Sequence, residues 1–136
     1  MALRARTFTY AVSVDENWTS TSDKGGTPIP DDEAWSPEHL VLAGLARCTL
    51  KSLSYHAQLR GLGVTSHASA NGVVTKRESD GRYAFVEIKV RLEASFEPAP
   101  SDLPELLALA ERDCFVGASL TVDPDYRWTV DGEAVA

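Results

Sequence analysis

The segment at residues 40–50, LVLAGLARCTL, constrains the fold of this 136-residue chain most strongly. It follows Ser36-Pro37-Glu38, a typical helix start, because serine caps, proline fits the first turn and glutamate favours the positive end of the helix dipole. We predict a helix from there to about Arg60, where glycines end it. The segment is apolar almost all round, with Arg47 as the exception, so the helix must be wrapped by other elements.

Two long segments after this helix have the patterns of strands. Residues 64–77 and 83–97 are separated by a turn at residues 78–82, which predicts a hairpin. In the second strand, one face is apolar and the other is charged, so the sheet should have one dry side that covers the helix. The residues that we assign to the dry face are Ala84, Val86, Ile88, Val90, Leu92, Ala94 and Phe96.

The remaining segments complete an α+β domain that we expect to span residues 1–136. A first strand with one buried face is predicted at residues 8–14, and a short strand at about 18–21. A second helix should begin at Ser101 or Asp102 and end near Arg112. A closing strand at residues 120–130, bent at Pro124, precedes a frayed tail. The sequence therefore predicts antiparallel sheets around a long buried central helix.

The charge of the chain disfavours several classes of partner. Its 20 acidic and 13 basic residues give a net charge of −7, whereas nucleic acids and anionic membranes attract clustered basic residues. The first ten residues contain two arginines but no apolar segment after them, and no stretch approaches the length of a membrane span. We therefore expect a cytoplasmic protein that binds neither nucleic acid nor membrane.

The chain has two cysteines, Cys48 in the middle of the first helix and Cys114 just after the second. Two cysteines are too few for a disulfide framework, and in a reducing compartment a pair is redox-active or binds a metal more often than it is structural. The three histidines have no ligand spacing with either cysteine, so we expect no metal site. The alternative is that both cysteines are packing residues, because free cysteine is commonly buried.

Three motifs in order resemble those of one protein family. Ser36-Pro37-Glu38-His39-Leu40 is similar to its helix start, and Ala43-Gly44-Leu45-Ala46-Arg47-Cys48 to its run of small residues ending in a reactive cysteine. The segment Ala110-Glu111-Arg112-Asp113-Cys114-Phe115-Val116-Gly117 resembles the family's second cysteine segment. On these motifs and their spacing, the chain resembles the osmotically inducible protein C and organic hydroperoxide resistance (OsmC/Ohr) family.

The resemblance implies a fold, an activity and a mechanism. It implies an OsmC-like fold in an intertwined homodimer with active sites at the interface, where Cys48 is peroxidatic and Cys114 is resolving. The implied function is a thiol-dependent peroxidase that reduces organic hydroperoxides in oxidative-stress defence. No cofactor is implied, and the expected electron donor is an external small or lipoyl-type dithiol.

The chain departs from the family pattern at two places. Members that confer hydroperoxide resistance use an arginine of the N-terminal loop, paired with the glutamate, to stabilise the thiolate, but residues 15–35 contain only Lys24 as a cation. A cysteine in an apolar helix needs a nearby positive group, and Lys51 and Arg47 are the candidates on the helix itself. Phe115 also replaces the proline that usually follows the second cysteine.

The positions of the other candidate site residues suggest where the site lies. Glu38 precedes Cys48 by ten residues, about 15 Å along a helix, so it cannot reach the Cys48 of its own chain. If Glu38 takes part in catalysis, the simplest geometry is across a two-fold interface; the alternative is that it serves only the helix dipole. The expected pocket is apolar and suits an alkyl or fatty-acid hydroperoxide better than hydrogen peroxide. Its predicted lining residues are Val41, Leu45, Tyr55, Phe115 and Trp35.

Two other functions are compatible with the same residues. The absent arginine favours a catalytically weak OsmC-like protein that binds a small apolar ligand in the interfacial pocket. A thiol-based redox sensor would use the same oxidation but requires a partner surface. The second cysteine favours the peroxidase, because a binding pocket has no need of another thiol.

Overall fold

The computed structural model describes residues 5–135, which form two compact units divided after Pro37. In the first unit, β1 (Val12–Val14) pairs antiparallel with β2 (Ser20–Ser22), and a single 3-10 turn follows at Glu33–Trp35. The first strand is shorter than predicted, and its expected buried face is wrong because all three of its side chains are exposed. Two strands of three residues are too short to bury a face of their own.

The second unit contains the helices and the main sheet. The predicted helix, hairpin and second helix are confirmed to within a few residues at each end. A short helix that we did not predict follows the second cysteine. The elements are α1 (Pro37–Leu59), β3 (Gly63–Lys76), β4 (Tyr83–Glu97), α2 (Leu103–Arg112), α3 (Phe115–Ser119), β5 (Asp125–Val130) and β6 (Glu133–Ala134).

The core lies between the dry face of the sheet and the helices α1 and α2. Leu45, Leu53 and Ala57 of α1 share one apolar cluster with the inward side chains of β4 and with Leu106 and Ala110 of α2. The prediction that α1 is buried all round is wrong within one chain, since side chains on its other side are exposed. A single sheet covers only one side of a helix, so the other side is left open.

A β-bulge changes which residues of β4 face the core. The register with β3 shifts between Val73 and Val74, and this places Phe85 rather than Val86 against the core cluster. A Cβ on Gly72 would lie 2.6 Å from the Phe85 ring, so glycine makes room for that ring. Our assignment of Val86 to the dry face is therefore wrong, because an extra residue in one strand reverses the alternation.

The end of the chain also differs from the prediction. The sheet has the order β3-β4-β5-β6 and is mixed, because β5 runs parallel to β4. The expectation of purely antiparallel pairing fails here because the connection through α2 and α3 is long enough to return the chain parallel. Residues 120–124 are not strand, and the predicted frayed tail instead contains β6, which pairs with β5. Within residues 5–135, no helix is both long and apolar enough to cross a membrane.

Candidate functional site

Cys114 lies in the turn between α2 and α3 and is completely buried. It occupies the N-cap position of α3, where its sulfur accepts a hydrogen bond from the backbone N–H of Gly117 at 3.4 Å. The Cys114 thiol also approaches the carbonyl oxygen of Leu45, with 4.0 Å between sulfur and oxygen. Backbone groups of α1 and of α3 thus both interact with the sulfur.

Cys48 lies in the middle of α1, is half-buried and is near Cys114. Burial raises the pKa of the Cys48 thiol, and the neighbouring Cys114 adds to this increase. The backbone N–H groups of Val116 and Phe115 act in the opposite direction and lower the pKa, because hydrogen bonds to sulfur favour the thiolate. The first turn of α3 therefore supplies hydrogen-bond donors to both cysteines.

Thr49 adds a buried hydroxyl to this pair of thiols. Its Oγ1 lies 3.0 Å from the carbonyl oxygen of Leu45, one turn earlier in α1, and 3.4 Å from the sulfur of Cys114. The hydroxyl has one hydrogen and can donate to either acceptor. We did not predict this residue, because a threonine inside a helix carries no sequence signal for a contact across the core.

Tyr126 brings a second hydroxyl from β5. It interacts with Thr49 and with Cys114, and burial together with Cys114 raises the pKa of Tyr126 to about 12. A Cβ on Gly117 would lie 2.6 Å from the Tyr126 hydroxyl oxygen and 3.4 Å from the Cys114 sulfur, so only glycine leaves room for this arrangement. Tyr126 was predicted only as part of the closing strand.

Ion pairs and hydrogen bonds fix the segment that carries Cys114. His56 Nε2 lies 2.7 Å from Asp113 Oδ2, which joins α1 to the residue before Cys114. Arg112 and then His56 hold the pKa of Asp113 below its usual range. Trp128 of β5 donates a hydrogen bond to Glu111 at 2.8 Å. Both the central helix and the sheet therefore position the turn at Cys114.

The predicted site residues other than the two cysteines differ in burial. Leu45 is fully buried beside Gly117 and Thr49, whereas the other lining candidates on α1 and α3 are exposed. The charged candidates are also exposed, and Arg47 and Lys51 are not among the groups that chiefly set the pKa of Cys48. Trp35 belongs to the first unit and is exposed. The exposed candidates of the second unit are Glu38, Val41, Arg47, Lys51, Tyr55 and Phe115.

A metal site requires several His, Cys, Asp or Glu side chains close together. In the part of the chain from residue 5 to residue 135, no three or more His, Cys, Asp or Glu side chains are grouped so that they could hold a metal ion. An oxidant can convert the two thiols to a disulfide, and an external thiol can reduce that disulfide again by exchange.

The fold and the thiol pair define a small α+β protein built on a helix that carries a cysteine near a second, buried cysteine. Residues 30–128 match the family model of the OsmC-like proteins, and the chain belongs to that family.

Solved structures share this fold. An OsmC-like protein of unknown function from Vibrio cholerae has a TM-score of 0.73 at 14% identity, covering 90% of this chain and 100% of its own. The organic hydroperoxide resistance protein OhrB of Bacillus subtilis has a TM-score of 0.62 at 24% identity, over 90% and 98% of the two chains. An organic hydroperoxide resistance protein of Elizabethkingia anophelis scores 0.61 at 17% identity, over 93% and 98%. No curated protein matches the chain.

Proposed function

We propose that this protein is a thiol-dependent peroxidase that reduces organic hydroperoxides, with Cys48 as the peroxidatic and Cys114 as the resolving cysteine. The observation that carries the proposal is the proximity of a half-buried thiol on α1 to a fully buried thiol after α2. The resemblance to hydroperoxide resistance proteins supports the same assignment.

The reaction needs only these two sulfurs and an external reductant. The Cys48 thiolate attacks the distal oxygen of ROOH, the O–O bond breaks, and the products are a sulfenic acid and an alkoxide that takes up a proton. The Cys114 sulfur then attacks the Cys48 sulfur, its proton leaves with the hydroxide as water, and a disulfide forms. A dithiol of the small or lipoyl type reduces this disulfide by exchange and is itself oxidised.

The active form in this proposal is an intertwined homodimer. Val41, Cys48 and Tyr55 follow one another at seven-residue intervals and lie on one side of α1, where Val41 is 38% and Tyr55 is 56% exposed. Phe115 of α3 is 54% exposed. Apolar side chains exposed together indicate a surface that a partner covers. A second subunit on this side would enclose Cys48 in an apolar pocket and bring its own Glu38 toward the thiol.

The N-terminal unit supports an exchange of chain between subunits. Its two-stranded hairpin exposes Val12, Val14 and Trp18, and Tyr10 just before the hairpin is exposed as well. A hairpin of this length is only marginally stable alone, so it gains most by pairing with another chain.

Peroxide consumption by the reduced protein, followed with an external dithiol, tests the proposal. Because the pocket is apolar, cumene hydroperoxide should be consumed at least about tenfold faster than hydrogen peroxide. Equal and slow consumption of both peroxides, at the rate of free cysteine, would refute the peroxidase assignment.

The second candidate function is the binding of a small apolar ligand without turnover. The observation that favours it is the raised pKa of Cys48, which lowers the fraction of thiolate at neutral pH. In that case a fatty acid should bind the dimer while both thiols remain reduced in the presence of a fatty-acid hydroperoxide.

The rate of Cys48 oxidation should depend steeply on pH. Burial raises the pKa of Cys48, so the thiolate is the minor form below that pKa and increases about tenfold per pH unit. We expect the second-order rate constant with cumene hydroperoxide to rise continuously from pH 6 to pH 8.5 in stopped-flow measurements. A plateau already at pH 7 would contradict this expectation.

The variants Lys51→Met and Arg47→Met show whether either cation acts on the thiol. A cation that stabilises the Cys48 thiolate lowers the pKa of Cys48. Removal of that cation therefore moves the plot of oxidation rate against pH to higher pH. If a variant has the same pH dependence as the wild type, the residue that it replaces does not stabilise the thiolate.

A further inference from the structure

The sulfur of Cys114 is surrounded by more polar groups than a buried packing residue requires. It is completely buried, yet Thr49 Oγ1 lies at 3.4 Å, Gly117 N donates to it at 3.4 Å, and the Tyr126 hydroxyl interacts with it. Thr49 is fully buried and Tyr126 is half-buried, and hydroxyls withdrawn from water are costly unless they are paired, so apolar side chains would fill these places at lower cost. The two-step reaction described above assigns no task to either hydroxyl.

Gly117 shows that space is kept for the tyrosine. A Cβ at this position would lie 2.6 Å from the Tyr126 oxygen, too close for any real contact, whereas it would lie at ordinary distances from Cys114 and Leu45. Gly117 also donates its backbone N–H to Cys114. One residue therefore both holds the sulfur and leaves room for the hydroxyl beside it.

The hydrogen bonds can follow the sulfur when it loses its proton. In the reduced protein, the Cys114 S–H approaches the Leu45 carbonyl at 4.0 Å, and the Thr49 hydroxyl lies 3.0 Å from the same oxygen. When Cys114 has lost its proton, the Thr49 hydroxyl can turn to donate to the sulfur instead. The Tyr126 hydroxyl remains protonated at neutral pH, because burial raises its pKa to about 12, and it can donate to Thr49 or to Cys114.

We propose that Thr49 and Tyr126 are positioning residues that orient the Cys114 sulfur for its attack on the Cys48 sulfenic acid. This inference rests on the proposed function and concerns only its second step. In that step the S–O bond of Cys48 breaks, the S–S bond forms, and the proton of Cys114 leaves with the hydroxide as water. Both hydroxyls stabilise the sulfur as it loses its proton and keep it directed at Cys48.

The test separates the two steps in single-turnover reactions of the full chain with one equivalent of cumene hydroperoxide. Dimedone traps the sulfenic acid at intervals, and intact mass measures the disulfide. In Tyr126→Phe and Thr49→Val, we expect sulfenic acid to form at the wild-type rate and disulfide to form about tenfold more slowly, as the loss of a hydrogen bond to a developing charge implies. The sulfenic acid should therefore accumulate and be overoxidised by excess peroxide.

Conservative and distant variants separate positioning from folding. Thr49→Ser keeps the hydroxyl but lacks the methyl group, and it should form the disulfide at the wild-type rate. If the methyl group were the part that matters, Thr49→Ser would be slow. Tyr83→Phe removes an exposed hydroxyl of β4 and should change neither step. If Tyr126→Phe does not fold, the comparison of Thr49→Val with Thr49→Ser still decides the matter.

The outcomes for the two proposals are distinct. A wild-type protein that forms neither sulfenic acid nor disulfide overturns the peroxidase assignment. A wild-type protein that forms the disulfide, together with Tyr126→Phe and Thr49→Val variants that form it equally fast, overturns only the role of the hydroxyls.

Discussion

Replacing Cys48 with serine is expected to lower the consumption of organic hydroperoxide by at least about a thousandfold, because a hydroxyl is a far weaker nucleophile than a thiolate. Cys48 is half-buried and packs against the core cluster, and serine, which differs from it by one atom, removes little of that packing. Peroxide consumption with an external dithiol measures the loss, and the thermal unfolding midpoint shows that the variant is folded.

Cys114→Ser is the matched control for this prediction. The serine hydroxyl can still accept from Gly117 N–H and Thr49, so the buried site remains satisfied. The first step should be no slower than in the wild type, because the neighbouring Cys114 raises the pKa of Cys48 and its replacement removes that effect. The sulfenic acid should persist and proceed to the sulfinic acid when peroxide is in excess. Equal activity of Cys48→Ser and the wild type would show that another group attacks the peroxide.

Tyr55→Glu is expected to convert the proposed dimer to a monomer and to abolish the proposed peroxidase activity. Tyr55 is more than half exposed in one chain, so the charge is tolerated there, but in the dimer it would be buried without a partner. An unpaired buried charge costs about 3–5 kcal/mol, which raises the dimer dissociation constant more than about a hundredfold. Sedimentation at micromolar concentration should show wild-type particles with twice the chain mass of 14.7 kDa and variant particles with that mass alone.

Ser54→Glu introduces the same charge at the neighbouring position, which faces about 100° away on the helix. It is exposed and lies off the side of α1 that carries Cys48. This variant should remain dimeric and active. A wild-type protein that sediments as a monomer, or a Tyr55→Glu variant that remains dimeric, would contradict the proposed interface.

The sequence predicted those elements whose signals are local. α1 begins at Pro37 and ends at Leu59, close to the predicted bounds, because a proline after a capping residue and paired glycines mark its ends. β4 was predicted at its observed bounds from strict alternation, which holds from Ile88 to Phe96. Both patterns depend only on neighbouring residues, and for this reason one sequence is enough to find them.

The sequence did not predict features that depend on distant partners. The bulge opposite Val73 is set by the fit of Phe85 over Gly72, and the parallel pairing of β5 is set by the path of the chain through two helices. α3 has only five residues, too few for a periodic pattern.

The candidate site was predicted only in part for the same reason. Cys48 and Cys114 were selected by their type and by a family resemblance, and the structure places them near each other. Thr49 and Tyr126 have no such signal, because their importance lies in reaching one sulfur from two separate elements.

The most direct test of the two-cysteine mechanism is the intact mass of the reduced protein after one equivalent of organic hydroperoxide, recorded without reductant and in parallel with hydrogen peroxide. We predict a rapid loss of two hydrogens, faster with the organic peroxide and absent in Cys48→Ser, as Cys48 and Cys114 form a disulfide. If both thiols instead stay reduced, or oxidise only as slowly as free cysteine, the pair is not a peroxidase centre and ligand binding becomes the function that the site supports.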